Sequence, residues 1–310
     1  MAHIRQERWT AFLIILPSII LLAVFVYGFI IWTARVSLSQ WDGVAPNYTW
    51  AGFANYRQLF LTGSAISARR FSIDLWNTFF FTLFFLALCI TVGLLLAILL
   101  DQNIKGESIF RTIYLFPMAL SFVVTGVVWR WIFAPGAGSR LRGVNALLQT
   151  WGLDSFHWGW YVDTSSIGPF HLALIPVIIA AAWQLTGYTM VMYLAGLRGI
   201  SNDLREAARV DGASELQIYR HVILPILRPV TLSALIILGH TSLKIFDLVY
   251  TLTGKGPGFV TDMPGIFMFE TTFQGNHYAQ GATISMIMLI MIAVIIVPYL
   301  VRSFKREIEL

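Results

Sequence analysis

The sequence predicts an all-α membrane protein built on six spanning helices, and three observations carry that expectation. Hydrophobic residues make up 57% of the chain and charged ones only 12%. About a quarter of an ordinary soluble sequence is charged, so a water-soluble globule of this composition would lack the polar surface to cover itself. Four stretches, Phe12–Ile31, Phe79–Leu100, Leu172–Leu197 and Gly281–Val301, contain no Asp, Glu, Lys or Arg. A helix rising 1.5 Å per residue needs about 20 apolar residues to cross a hydrocarbon core roughly 30 Å thick, and each stretch meets that length. Finally, Trp9 and Trp32 bracket the first stretch, at the headgroup depth that indole rings prefer.

The elements follow in chain order. The first span is longer than the apolar core of a secretion signal, and no A-x-A cleavage pattern follows it, so it is expected to be a retained helix. Residues 37–75 form an outer loop. Asn77 and Thr78 are expected as caps at the entry of the second span. Thr112–Trp129 is a shorter third span, with Trp129 and Trp131 at the outer interface. Leu172–Leu197 is the fourth.

The fifth span is the weakest by hydropathy, because only Val230–Leu243 is free of charge between Arg228 and Lys244. It carries His240, Thr241 and Ser242, so it is expected to pack inside the bundle or to line a cavity. The resulting organisation is residues 1–36 as an N-terminal segment with the first span, 37–75 as an outer loop, 76–302 as the core and 303–310 as a tail. The outer connections 38–75, 135–170 and 249–278 are rich in Gly, Pro, Asn and Trp, as ordered surface loops are.

An even number of spans places both termini on one side. Arg5, Arg8, Lys105, Arg111, Arg198, Arg205, Arg209, Arg220, Arg228, Arg302, Lys305 and Arg306 fall together on that side, which the positive-inside bias makes cytosolic. The net charge of +5 is spread over membrane boundaries instead of being gathered on a face with stacking aromatics, so nucleic acid is not an expected partner. Cys89 is the single cysteine, so no intrachain disulfide can form. Six histidines, His3, His157, His171, His221, His240 and His277, show no metal-binding spacing, and neither a metal site nor a catalytic residue is expected.

The connection between the fourth and fifth spans is the most informative stretch. It reads Glu206-Ala207-Ala208-Arg209-Val210-Asp211-Gly212-Ala213, and nine residues after Gly212 comes Val222-Ile223-Leu224-Pro225. Asp203 and Glu206 have the spacing of a capping box, predicting a helix that starts there and runs to about Val210. Asp211-Gly212 is suited to a tight turn, since glycine accepts positive φ. Ser214 and Gln217 form a second capping box, predicting another helix that continues through Tyr219 until Pro225 disturbs it. Helix, bend, helix over residues 203–219 gives a low ridge of small alanines beside one carboxylate, a shape that fits a cleft on another protein.

This pattern resembles the signature of the inner-membrane permease subunits of ATP-binding-cassette importers, E-A-A, three residues, Gly, nine residues, I-x-L-P, with Val222 where Ile is usual. The resemblance runs from about Trp76 to Arg302. Phe246-Asp247, Leu252-Thr253-Gly254 and Gly256-Pro257 are further similar to a segment of carbohydrate-importer permeases of the maltose and glycerol-phosphate type, with Lys255 in place of a middle glycine.

The resemblance implies a MetI-like permease core, two cytosolic ATPase subunits, a second homologous permease subunit, an external solute-binding protein and a sugar-like cargo. It implies that Glu206, Ala207, Ala208, Asp211, Gly212, Ala213, Leu224 and Pro225 couple to the ATPases. The chain has no G-x-x-x-x-G-K-[ST] motif, so it is expected to bind no cofactor itself, with ATP and Mg on the partner ATPases and no enzymatic activity here.

For solute contact, sugars need hydroxyl partners and a flat apolar face. Trp183, Gln184 and Tyr188 on the fourth span and Thr241 and Ser242 on the fifth offer these groups. Lys244 and Asp247, spaced i, i+3, are expected to pair at the outer end of the fifth helix. With Gly254, Gly256 and Pro257 they form a possible gate or binding-protein contact. Alternatives from other classes are a polytopic enzyme acting on lipid, a scaffold that senses solute without moving it, and a permease for a non-sugar solute such as glycerol phosphate.

Overall fold

The structure is a computed structural model that describes residues 2–60, 66–102, 104–137, 140–153 and 158–308, with side chains described for all of these except 2–11, 137, 140, 300 and 302–308. His157 and the side chains of His3, Arg5, Arg8, Trp9, Arg302, Lys305 and Arg306 therefore lie outside the described residues.

Along the chain, α1 (Ala2–Leu22), a π-turn (Ala23–Gly28) and α2 (Phe29–Ser37) run on as one rod, followed by α3 (Ala54–Phe60) and α4 (Ile66–Leu100). Next come α5 (Glu107–Leu115) and α6 (Phe122–Ile132), the hairpin β1 (Gly136–Ala137) and β2 (Arg140–Leu141), α7 (Gly143–Thr150), and the hairpin β3 (Ser166–Ile167) and β4 (Phe170–His171). The long α8 (Leu174–Arg198) leads to α9 (Asn202–Val210), α10 (Glu215–Ile218) and α11 (Leu224–Ile226). The remaining helices are α12 (Arg228–Leu243), α13 (Asp247–Leu252), α14 (Pro264–Phe269) and α15 (Tyr278–Ile308).

Two compact units are present, Met1–Ala68 with Phe267–Ile290, and Arg69–Ile266 with Met291–Leu310. In the first unit the rod supplies a span from Phe12 to Ser37, six residues beyond the expected end. Arg35 had closed the charge-free run. Its guanidinium lies 5.3 Å from the Tyr48 ring centre, where the aromatic face offsets part of its cost. Thr283 Oγ1 and Asn55 Nδ2 both donate to the Ser37 carbonyl, at 3.2 and 2.9 Å, so the helix end is satisfied by side chains.

The core of the second unit is where α4, α8 and α13 meet. Phe81, Phe85 and Cys89 of α4 are buried with Val177, Ala180 and Ala181 of α8 and with Leu248, Val249 and Leu252 of α13. Small residues set the spacing between helices, as they do in membrane bundles. A Cβ at Gly187 of α8 would lie 1.9 Å from the Tyr114 carbonyl oxygen, and one at Gly126 of α6 would lie 1.9 Å from Thr251 Oγ1.

Four expectations are corrected. Asn77 and Thr78 do not cap a helix, because α4 begins at Ile66 and both residues sit buried in its interior. The polar first turns of α4 hid this start. Arg70 Nε donates to Asp262 Oδ2 at 2.5 Å, and Asn77 Nδ2 donates to the carbonyls of Phe259 and Asp262, so protein groups solvate what lipid could not.

The third span is not a straight helix. Glu107–Ala119 and Phe122–Ile132 meet at 99°. Pro117 lies in the turn before the break, Leu120 is extended, and Ser121 starts α6 as its N-cap, accepting from the Val123 amide. The fifth span is likewise bent, by 63°, at Leu227 between Pro225 and Pro229. Neither proline has an N–H to continue a helical ladder.

Lys244 and Asp247 do not pair. α12 stops at Leu243 and α13 starts at Asp247, with Phe246 off helical geometry between them. The two residues are thus not on one helical face, and no ion pair joins them among the described residues.

Candidate functional site: the bent hairpin and the intramembrane polar face

Ser201, not Asp203, is the N-cap of α9. Its Oγ accepts from the Asp203 amide at 3.2 Å and donates to Asp203 Oδ2 at 3.0 Å. Serine two residues earlier wins because the cap must precede the first helical residue, Asn202. The helix ends as expected at Val210.

At the bend, Gly212 has φ +80°. Its amide donates to the Arg209 carbonyl, and the Ala213 amide donates to that of Ala208, both at 3.0 Å. This pair of bonds is a Schellman closure, which requires a left-handed residue at its centre and favours an apolar contact between its ends. Ala208 and Ala213 stand at those two ends and both pack on the buried cluster of Met190, Tyr193, Leu197, Ile218 and Ile223. The capping box of Ser214 and Gln217 forms as predicted, with the Ser214 amide donating to Gln217 Oε1 at 2.7 Å. A π-turn over Tyr219–Ile223 then absorbs the approach to Pro225.

Ion pairs that spacing did not reveal hold the hairpin in place. Arg205 reaches Asp101 at 2.9 Å, and Arg209 reaches Glu215 at 2.7 Å. The Glu215 carboxylate raises the Arg209 guanidinium above its ordinary pKa. Nearby, Arg198 pairs with Glu107 at 2.7 Å. Glu206 and Ala207 are exposed, and the Glu206 carboxylate makes no hydrogen bond or ion pair with a described residue. Val210 and Leu216 flank the bend at 87% and 78% exposure, a pair of bare apolar side chains that marks a contact surface. A cavity of about 290 Å³ lies beside the bend, lined by Asp211, Gly212, Ala213, Gln217 and His221. Leu224 is exposed, and Pro225 is half-buried.

On α8, Trp183 is exposed, with its ring edge-on to Trp129 at 5.7 Å. Gln184 is buried. Its Nε2 donates to the Leu120 carbonyl at 2.8 Å, the very group that the break between α5 and α6 leaves open. Gln184 Oε1 is buried with no hydrogen-bond donor among the described residues. Tyr188, one turn on, is half-buried.

On α12, Thr241 Oγ1 donates to the Ile237 carbonyl at 2.9 Å, while Ser242 Oγ donates to the Gly239 carbonyl and accepts from Thr82 Oγ1. Thr241 thus bonds within its own helix, and Ser242 also bonds across to α4. After α13, Gly254, Gly256 and Gly258 all take positive φ. Pro257 opens the short turn between the last two.

Residues 89–309 match a family model described as binding-protein-dependent transport system inner membrane component. The chain belongs to that family. A probable ABC transporter permease protein of Pyrococcus horikoshii is 41% identical to this permease over 295 residues, covering 95% of this chain and 96% of that one. The xylose/arabinose import permease protein XacH of Haloferax volcanii is 36% identical and covers 93% and 86%. The trehalose/maltose transport system permease protein MalF of Thermococcus litoralis is 29% identical and covers 97% and 96%. Among solved structures, a chain of a bacterial ABC transporter involved in alginate import superposes with TM-score 0.77 at 21% identity, covering 97% of this chain and 96% of that chain. This permease therefore has the importer-permease fold. The family match takes in the bent hairpin, α8 and α12 together.

Proposed function

We propose that this permease moves a sugar or related polyhydroxylated solute inward through the cytoplasmic membrane, driven by ATP that two separate ATPase subunits hydrolyse. The Schellman-closed bend at Gly212 carries the reading. It fixes the two short helices that carry the exposed Glu206, Val210 and Leu216, so the fold maintains a rigid protein contact surface. An ATPase groove that supplies a cation for Glu206 and an apolar floor for Val210 and Leu216 completes it. ATP and Mg belong to those partners, and this chain carries out no bond chemistry of its own.

The relatives named for xylose, arabinose, trehalose and maltose support a sugar as cargo, and the free Gln184 Oε1 beside Tyr188 and Trp183 supplies groups that suit one. An external binding protein delivers the solute. A second homologous permease completes the pathway, a role supported by the first span, whose most apolar 18-residue window is unburied within this chain. The basic residues at the hairpin and at both chain ends support a cytosolic position for these.

The test is uptake into proteoliposomes holding this permease, its partner permease and ATPases, with the binding protein outside and ATP inside. ATP-dependent accumulation of radiolabelled xylose or maltose is expected. ATP hydrolysis with no sugar entering would overturn the cargo, and no recoverable ATPase partner would overturn the whole reading.

A further inference from the structure

A cavity of about 540 Å³ lies in the first unit, where the first span ends and the last begins. Its lining includes Gln40, Trp41, Asp42, Asn55, Gln58 and Gln280. This volume falls within the roughly 300–1,000 Å³ of small-molecule sites. The chemistry of the wall is selective. Gln40 and Gln280 bring amide donors and acceptors to the wall, Asp42 brings a carboxylate with His277 beside it, and neither Lys nor Arg lines the cavity. That mix of donors and acceptors suits vicinal hydroxyls.

The wall is held rigid, and one of its donors is open. Asn55 Nδ2 is held by the carbonyls of Ser37 and Ser39, both at 2.9 Å, which fixes the side chain. Gln280 Nε2 is buried with no acceptor among the described residues, a costly condition that a ligand hydroxyl would relieve. Asp42 is steadied by His277 Nδ1. The Trp41 ring is locked by Tyr278 at 4.9 Å, Tyr48 at 5.3 Å and Trp32 at 6.3 Å, with its Nε1 donating to the Gly43 carbonyl. A rigid indole beside amides gives a flat apolar face with hydroxyl partners around it.

We propose that this cavity is a second, outer subsite for the solute, taking one neutral sugar unit at the water-facing end of the two spans. It rests on the reading of the chain as a sugar permease and adds a station that shares no residue with the Gln184–Tyr188 face.

The experiment uses the assembled transporter in nanodiscs without its binding protein, titrated with xylose, maltose and trehalose by calorimetry. Binding of one of these sugars should persist in Tyr188→Ala. It should weaken about tenfold or more in Gln280→Leu, the loss of about one hydrogen bond to a ligand. Gln40→Ala, whose side chain makes no internal hydrogen bond among the described residues, should weaken binding in the same direction and guards against a folding defect in the first variant.

Equal affinity in Gln280→Leu and Gln40→Ala would overturn the subsite, as would weaker docking of the binding protein in those variants with sugar affinity unchanged. If wild-type proteoliposomes import a sugar that the Tyr188→Ala complex cannot bind, the subsite alone is wrong. If they import none, the sugar reading falls with it.

Discussion

The Ala213 amide donates to the Ala208 carbonyl across Gly212, and the two alanine side chains rest on the same buried cluster. One geometric unit thus ties the second alanine of the Glu206-Ala207-Ala208 run to the residue after the glycine. The spacing between them is set by a helix end of six residues, not by contacts to a partner.

Replacement of Gly212 should therefore act through the backbone. A Cβ there meets nothing within 4 Å, so Gly212→Ala should cost only the left-handed penalty, about 1–2 kcal/mol. Gly212→Pro removes the amide that reaches Arg209 and forbids the observed φ, so it should uncouple transport from ATP hydrolysis. The ratio of ATP hydrolysed to solute moved in proteoliposomes measures both, and normal coupling in the proline variant would refute the assignment.

Gly187→Ala should be far more damaging, because its new methyl would meet the Tyr114 backbone oxygen. Backbone cannot swing aside as a side chain can, so a loss at the upper end of about 1–3 kcal/mol is expected. Fluorescence-detected size exclusion on heating should show a lowered melting point, while Gly212→Ala shifts it less.

Gln184 has two tasks that separate cleanly. Gln184→Ala releases the Leu120 carbonyl and should lower stability by about 1 kcal/mol. If its Oε1 also meets solute, KM for uptake should rise several-fold with Tyr188→Phe acting in the same direction. A melting shift with unchanged KM would confine Gln184 to holding the helix break.

The Arg70–Asp262 pair is buried, with Asp262 fully so. Asp262→Asn should lower stability by up to about 3–5 kcal/mol, because the ion pair to the buried Arg70 is lost. Arg70→Met with Asp262→Leu should recover much of that loss, and thermal unfolding of the three variants decides the matter.

His171 gives a pH dependence. Both hydrogens of the Asn77 amide go to the carbonyls of Phe259 and Asp262, so Asn77 Oδ1 is the acceptor and His171 donates from Nδ1 at 2.9 Å. Burial pushes the His171 pKa below its ordinary 6.5. The folded chain thus prefers the neutral ring, and its contribution is fully present above pH 6.5 and lost as pH falls through the lowered folded value. Melting temperature should drop on acidification below 6.5, and His171→Gln should flatten that limb of the curve.

Hydropathy determined the spans Phe12–Ile31, Phe79–Leu100, Leu172–Leu197 and Gly281–Val301, because lipid imposes a length and a charge rule on each segment independently. The bend at Gly212 and the Ser214–Gln217 cap were equally legible, since their hydrogen bonds close within a few residues. The Ile66 start of α4, the bends near Leu120 and Leu227, the separation of Lys244 from Asp247 and the polar cavity beside Trp41 were decided only by tertiary structure. In each case a polar group or an open carbonyl finds its place through the fold. Arg70 finds Asp262 and Leu120 finds Gln184, partners 192 and 64 residues away, and no local pattern encodes pairing at that distance.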